Sequence, residues 1–140
     1  MHNRILALDY GTKRIGVATT DALCITIQPQ PFLANSPTVF QEIKAIVEAK
    51  EIREIIIGMP YSLKGFEGTL GNEIHQFKNN LEKELTDKPE ISMEFFNEQY
   101  TSKIAERDLI NQNYSRKKRK QKIDSLAAYY LLSAYLKSGV

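Results

Sequence analysis

A short apolar run that ends in a carboxylate restricts most strongly what this chain can fold into. Residues 5–8 are four consecutive apolar residues, Asp9 follows them, and a second apolar stretch begins at Ile15. Such runs are typical of strands buried on both faces of a sheet. Two interpretations of Asp9 remain open. Its side chain starts a turn by bonding its own backbone, or it is a charge at a sheet edge that a divalent cation neutralises.

The composition narrows the class of protein. With 42% hydrophobic and 26% charged residues, the 140-residue chain has the balance of an ordinary globular domain. A single cysteine, Cys24, excludes an internal disulfide, and with two histidines it cannot supply the usual ligands of a structural zinc site. No segment has the length of a membrane span or a signal peptide. We therefore expect one cytoplasmic domain over residues 1–140, with no membrane partner.

Positive charge is concentrated in one segment. The chain has a net charge of +2, but residues 116–122 hold six of its 19 basic residues, which leaves 13 basic against 17 acidic residues elsewhere. A run of this density is either a solvated loop or a binding surface for phosphates, and its position just before Asp124 favours the second. Because it has almost no apolar residue, we expect it to be mobile. Its basic residues are Arg116, Lys117, Lys118, Arg119, Lys120 and Lys122.

The order of apolar patterns predicts an α/β fold with helices on both faces of a mixed sheet. Prolines at positions 29 and 31 suit an edge strand or a bulge and argue against a central position for the third strand. The β-branched run 54–58 is typical of a central parallel strand. In chain order we predict three strands first, over 4–9, 14–20 and 24–33. A helix capped by Ser36, a strand over 54–58, a helix capped by Thr69 and a strand over 91–97 follow. A helix opened by Thr101 and a helix after the basic run come last.

Three carboxylates fall where ligands bind in such folds. Asp9 and Glu98 follow predicted central strands, whose carboxyl ends form the usual ligand-binding edge. Asp124 lies in the first turn of the predicted last helix, on the side of Ala128 and Leu131. Each residue alone has a structural explanation, and for Asp124 it is the helix dipole. Three converging carboxylates repel one another, however, and require cations.

The ligand chemistry and its surroundings predict a nuclease. Carboxylate oxygens without nearby Cys or His favour Mg²⁺, with Mn²⁺ as the alternative. Two such ions about 3.5–4 Å apart activate water and stabilise the leaving oxygen in phosphodiester hydrolysis. Lys13 and Arg14, close to Asp9, are candidate phosphate contacts, although solvation at the surface explains them equally well.

Four segments, in order along almost the whole chain, resemble motifs of the YqgF/RuvX family of Holliday junction resolvases and pre-16S rRNA nucleases. The opening motif is the most specific of the four, and it contains Asp9. The third departs from the family pattern, because Asn97 replaces an Asp and Gln99 replaces an Arg. The segments are Leu6–Ala18, Ile57–Pro60 with Gly65, Asn97–Ser102 with Ala105, and Lys122–Ala128.

The resemblance implies a ribonuclease H-like fold: a five-stranded mixed sheet of order 3-2-1-4-5, with strand 2 antiparallel and helices on both faces. It implies that Asp9, Glu98 and Asp124 are the catalytic residues and bind Mg²⁺. It also implies a nuclease acting on structured nucleic acid, either branched DNA or the 5′ end of precursor 16S rRNA. Gln99 cannot form the bidentate phosphate contact of an arginine, which weakens the expected substrate contacts near Glu98.

Two other functions are weighed against the enzyme. One is a nucleic-acid-binding module of the same fold with weak or lost cleavage, which the departures at Asn97 and Gln99 favour. The other is a nucleotide-binding domain of the sugar-kinase and actin type, which requires two such domains where 140 residues supply one. A symmetric resolvase would favour a homodimer, so we expect a monomer or a homodimer.

Overall fold

The computed structural model describes residues 4–21, 23–24, 26–59, 68–97 and 116–137, with side chains in all of these except 68–69, 97 and 116–125. This part of the chain forms five strands and three helices. They are β1 (Arg4–Asp9), β2 (Arg14–Thr20), β3 (Ile27–Ala34), α1 (Val39–Ala49), β4 (Ile52–Met59), α2 (Gly68–Glu84), β5 (Ser92–Asn97) and α3 (Arg116–Lys137).

The strands form one mixed sheet in the order β3-β2-β1-β4-β5. Strand β2 is antiparallel to both β1 and β3, whereas β1, β4 and β5 run parallel to one another. The carboxyl ends of β1, β4 and β5 therefore meet at one edge of the sheet, called here the carboxyl edge. The predicted strand order and the reversed second strand are confirmed.

Strand β3 occupies an outer position of the sheet, as its prolines predict. Between two paired positions, β2 advances from Ile15 to Val17 while β3 runs from Leu33 to Gln30, so β3 holds one extra residue. Pro31 lies in this bulge, where a missing backbone N–H removes no ladder hydrogen bond. The strand begins at residue 27, three residues later than predicted.

Alternate residues of the central strands supply a core on each face of the sheet. On one face, α1 and α2 cover β1 and β4 with buried residues that recur at helical spacing, namely Val39, Ile43, Val47, Ile74, Phe77, Leu81 and Leu85. On the other face, α3 covers Ile5, Ala7, Ala18 and Ile56 with Ala128, Leu131, Leu132 and Tyr135. Helices on both faces are therefore confirmed.

The predicted start of α1 at Ser36 is wrong by two residues. The Val39 N–H donates to the Ser36 carbonyl oxygen at 3.1 Å, so residues 36–39 form a turn, and Thr38 is the N-cap. Proline at the second position is common in turns of this kind because its φ is already suitable. Helix α2 likewise begins at residue 68, which puts Thr69 in its first turn and not before it.

Helix α3 differs from its prediction in its start and in its buried face. It begins at Arg116 and so includes the basic run, which was expected to be a mobile segment before the helix. Lysine, arginine and glutamine are good helix formers, and no Gly or Pro interrupts residues 116–137. The buried face is also rotated. Helical spacing in the sequence predicts a face of Ile123, Leu126, Ala127, Tyr130, Leu131, Ala134 and Tyr135. Among the described side chains, the buried ones are Ala127, Ala128, Leu131, Leu132 and Tyr135. None of the three described helices is long and apolar enough to cross a membrane.

Tyr135 connects the carboxyl-terminal end of α3 to the sheet. Its hydroxyl donates to Glu94 Oε1 at 2.8 Å and also contacts Glu54 Oε2, while the ring packs edge-on against Phe96. Burial, reinforced by the two carboxylates, raises the pKa of Tyr135 above the ordinary tyrosine value. The hydroxyl is thus a neutral donor at any physiological pH.

We expect Tyr135→Phe to lower the free energy of unfolding by about 1–2 kcal/mol, because two carboxylates lose their shared donor. Urea unfolding measures this, with Tyr129→Phe as the matched control in the same helix. The raised pKa sets the sign of the pH dependence. Above about pH 10 the unfolded chain releases the phenolic proton and the folded chain keeps it, so stability falls as pH rises. In Tyr135→Phe, the part of the fall in stability above about pH 10 that arises from the phenolic proton should be absent. Equal stability of both variants would contradict this role.

Candidate active site

Asp9 is the last residue of β1 and lies at the carboxyl edge. It pairs with Gly16 of β2 and is half-buried. Because side chains alternate along a strand, Asp9 shares the face of Ala7, which α3 covers. The carboxylate therefore stands at the edge of the sheet, between the end of β1 and the helix that carries Asp124.

The turn after Asp9 is held by a glycine and an asparagine. A Cβ built on Gly11 would lie 2.4 Å from the Arg14 carbonyl oxygen, closer than real Cβ contacts allow. From the end of β3, Asn35 donates its side-chain amide to the Gly11 carbonyl oxygen and its backbone N–H to the Lys13 carbonyl oxygen, both at 2.9 Å. The backbone that follows the carboxylate is thus bound to a neighbouring strand.

Glu98 lies outside the described residues, but the strand that leads to it does not. Strand β5 ends at Asn97, which pairs with Met59, the last residue of β4. Leu8 pairs with Ile57 and Ile57 with Phe95, so β1, β4 and β5 end at similar heights. Asn97, the last described residue before Glu98, therefore lies at the same edge as Asp9.

Asp124 lies in the amino-terminal half of α3, and only its backbone is described. It precedes Ala128 by one helical turn and Leu131 by two, and both of these residues face the sheet. Eleven residues later, Tyr135 contacts Glu54 in the amino-terminal half of β4, about 16 Å farther along the helix axis. The helix thus has its carboxyl-terminal end at the edge opposite to Asp9. The convergence of Asp9, Glu98 and Asp124 stays a prediction.

The predicted phosphate contacts near Asp9 differ in their surroundings. Lys13 is exposed in the turn after β1. Arg14, the first residue of β2, is half-buried, and its guanidinium lies over the Phe32 ring, 5.0 Å from the centroid. Packing against an aromatic ring orients that charge, because the face of the ring attracts cations. A role in nucleic-acid binding stays a prediction for both, as it does for the side chains of residues 116–122.

The donor set predicted around Asp9 fits a hard divalent ion. Among the described side chains, no group of three His, Cys, Asp or Glu residues is close enough to hold a metal, but two of the three predicted ligands are not among them. Asp9 itself has the oxygen chemistry that Mg²⁺ prefers, and its half-buried position limits its access to water.

Comparison with known proteins identifies the family. The model of the RuvX family, described as Holliday junction resolvase, matches residues 3–138. The chain belongs to this family. A relative from Sulfurihydrogenibium sp. is 40% identical over 96% of this chain and 90% of its own length. Another, from Koribacter versatilis, is 38% identical over 97% and 88%. Both are named as candidate pre-16S rRNA nucleases.

Solved structures agree with the fold expected of a RuvX-family chain. Thermus thermophilus RuvC in complex with a Holliday junction substrate has a TM-score of 0.60 at 10% identity, covering 99% of this chain and 97% of that one. A second RuvC structure from the same organism has a TM-score of 0.57 at 9% identity, with coverages of 97% and 96%. The ribonuclease H-like α/β fold is thereby confirmed.

At the carboxyl edge, the RuvX-family chain also has a cleft on the face of the sheet that α1 and α2 cover, which sequence patterns did not reveal. We call it the Tyr10 cleft; it has a volume of about 400 Å³ and lies between the end of β1, the start of α1 and the helix α2. The turn after β3 completes it, so its walls come from segments far apart in sequence. Its described lining residues include Tyr10, Asn35, Phe40, Gln76, Phe77 and Asn80.

Asn35 is a further part of the site that sequence patterns do not reveal. Its side chain reaches a carbonyl group 24 positions earlier in the chain. No spacing pattern links the two positions, because the contact depends on the pairing of β2 with β3. The only local signal was the end of a predicted strand, where asparagine is common for reasons unrelated to the site.

Proposed function

We propose that this chain is a Mg²⁺-dependent endonuclease that hydrolyses phosphodiester bonds of structured nucleic acid. The observation that carries the proposal is the position of Asp9, half-buried at the carboxyl edge of β1 in a chain that matches the resolvase family over residues 3–138. That edge is where open α/β sheets bind their ligands. We further propose that residues 1–140 act as one nuclease domain.

Asp9, Glu98 and Asp124 are the proposed metal ligands and catalytic residues. A divalent ion bound there would activate water and stabilise the leaving oxygen. The protein supplies the geometry around it. The Gly11 turn and its bonds from Asn35 restrict the backbone next to Asp9, and α3 covers the face on which its carboxylate lies. Mn²⁺ has the same ligand preferences and should substitute.

Precursor 16S rRNA is the first substrate to test, because the named relatives are candidate pre-16S rRNA nucleases. A DNA four-way junction is the second, because the family is described as Holliday junction resolvase. Cleavage of both, of plain duplex and of single-stranded RNA is measured with Mg²⁺ and with EDTA. We expect cleavage of at least one structured substrate with Mg²⁺ only. Cleavage that persists in EDTA would contradict the dependence on Mg²⁺, and no cleavage of any substrate would contradict an enzymatic function.

The second candidate function is a catalytically weak nucleic-acid-binding module. The departures from the family pattern at Asn97 and Gln99 favour it, because they remove one auxiliary carboxylate and one phosphate contact. The same set of substrates decides between the two functions, since a binding module retains affinity without turnover. A cytoplasmic location and a monomeric or homodimeric state stay predictions.

We propose that the basic run in the first turns of α3 binds phosphates of the substrate. Helical spacing places Lys117 and Lys120 on the rows of the helix that carry Asp124, and Lys118 and Lys122 on the opposite rows. Lys117→Ala with Lys120→Ala should therefore weaken binding to every sequence. The log–log dependence of affinity on salt should flatten by about one unit for each phosphate that the protein no longer neutralises.

Lys118→Ala with Lys122→Ala is the matched control for that measurement, since it removes the same charge from the other side of the helix. We expect the control to keep more of the wild-type salt slope. If both pairs of substitutions change the salt slope equally, the run acts only as a diffuse field of positive charge. If neither pair changes the slope, the run is a solvated surface that does not bind phosphates.

A further inference from the structure

The Tyr10 cleft is built from aromatic rings that remain partly exposed. The rings of Tyr10 and Phe40 each pack against Phe77, with centroids 5.2 Å apart in both pairs. Phe77 is buried, whereas the other two are only half-buried. The buried ring therefore supports two rings that still have surface to offer. Partly exposed aromatic rings of this kind are surfaces on which planar bases stack.

Amide groups form the polar side of the cleft. Gln76 Nε2 donates to Asn80 Oδ1 at 3.3 Å, one turn along α2. Within the described part of the chain, Gln76 Oε1 and Asn80 Nδ2 have no hydrogen-bond partner, so one acceptor and one donor are available side by side. Such a pair matches the donor and acceptor edge of a nucleobase. Glu73 adds a second acceptor, suited to exocyclic amino groups.

The charge of the cleft argues against a phosphate as its ligand. None of its described lining residues is Lys or Arg, and Glu73 is acidic. A phosphate would be repelled there, whereas a neutral planar heterocycle finds rings for its faces and amides for its edge. The volume of about 400 Å³ also lies within the range of roughly 300–1,000 Å³ typical of small-ligand sites.

The cleft adjoins the proposed active site through two consecutive residues. Strand alternation puts Asp9 on the α3 face and Tyr10, packed on Phe77, on the face of α1 and α2. A nucleic-acid strand that crosses the carboxyl edge at Asp9 thus has the cleft beside it. Sequence-specific recognition of RNA mainly uses unpaired bases that stack on aromatic side chains and bond through their edges.

We infer that the Tyr10 cleft binds one unpaired nucleobase of the substrate, close to the phosphodiester bond at the carboxyl edge. This inference rests on the proposed function and adds to it a source of sequence preference. It assigns stacking to Tyr10 and Phe40 and edge recognition to Gln76 and Asn80.

A double-mutant cycle between protein and RNA tests the inference. Oligonucleotides from the 5′ region of precursor 16S rRNA carry a single abasic nucleotide at successive positions, and their binding is measured in EDTA so that no cleavage intervenes. We expect one position at which the missing base weakens wild-type binding roughly tenfold. Asn80→Ala should weaken binding of the intact RNA and reduce that additional loss, because the edge contact of Asn80 is among the interactions that the missing base removes, while stacking on Tyr10 and Phe40 persists.

Asn79→Ala is the matched control, since Asn79 is exposed on the same helix and lies outside the Tyr10 cleft. It should leave the tenfold abasic effect unchanged. The inference is overturned if wild type does not bind the RNA, if no abasic position weakens binding, or if the Asn80→Ala and abasic effects simply add. The proposed function fails separately, through absence of Mg²⁺-dependent cleavage by the wild-type protein, which this binding cycle does not measure.

Discussion

Replacing Asp9 with asparagine should abolish Mg²⁺-dependent cleavage and leave the fold intact. The substitution removes one negative charge from the carboxyl edge with almost no change in shape, so the packing of β1 against β2 and α3 is retained. A metal ion contributes several kcal/mol to the transition state in such reactions, which corresponds to a rate loss of about 10³-fold or more. Single-turnover cleavage of the best structured substrate measures the loss.

Asp87→Asn is the matched control for this experiment. Asp87 is exposed after α2 and forms an ion pair with Lys44 at 3.2 Å. Lys44 holds the pKa of the Asp87 carboxyl below its usual range, but an exposed pair of this kind contributes little to stability. The control should cleave at the wild-type rate. Full activity of a purified Asp9→Asn sample would exclude Asp9 from the mechanism.

Gly11→Ala should cause the second largest effect, again at the carboxyl edge. The added Cβ would lie 2.4 Å from the carbonyl oxygen of Arg14, and a backbone atom cannot rotate away as a side chain does. The turn must therefore shift, and such overpacking costs about 1–3 kcal/mol. Because Gly11 follows Asp9 by only two residues, a shift of the turn displaces the Asp9 carboxylate. We expect the cleavage rate to fall by about 10²-fold, the loss typical of a catalytic group misplaced by about 1 Å.

Thr12→Ala, at an exposed position of the same turn, serves as the control for Gly11→Ala. It should change neither the melting temperature nor the cleavage rate. Circular dichroism and thermal unfolding show whether Gly11→Ala remains folded at the assay temperature. A folded Gly11→Ala protein with wild-type activity would show that the geometry of this turn does not govern the site.

The sequence predicts the sheet well because the central strands are buried on both faces. Residues 5–8 and 55–57 are uninterrupted apolar runs, without the polar positions that an exposed helix face or a loop would have. The order of the strands within the sheet followed from the family resemblance. Helix ends were less accurate. Ser36 had the chemistry of an N-cap but forms the turn before Thr38, and the basic run is helical because Lys, Arg and Gln are good helix formers.

The candidate site was only partly accessible from the sequence. Asp9 could be proposed because it belongs to the family's opening motif, whereas the strand pattern alone left a turn residue equally possible. Asn35 and the Tyr10 cleft could not, since each depends on segments brought together by strand pairing and by the packing of α1 on α2. Local patterns carry no information about such contacts.

The most direct test of the central claim is to locate the metal. Crystals of the full chain grown with Mn²⁺, and measured for anomalous scattering, should show a peak within about 2.5 Å of oxygen atoms of Asp9, Glu98 and Asp124. The Asp9→Asn protein should lose the peak under the same conditions. A peak elsewhere in the molecule, or Asp124 on the opposite side of the sheet from the Asp9 carboxylate, would contradict the account.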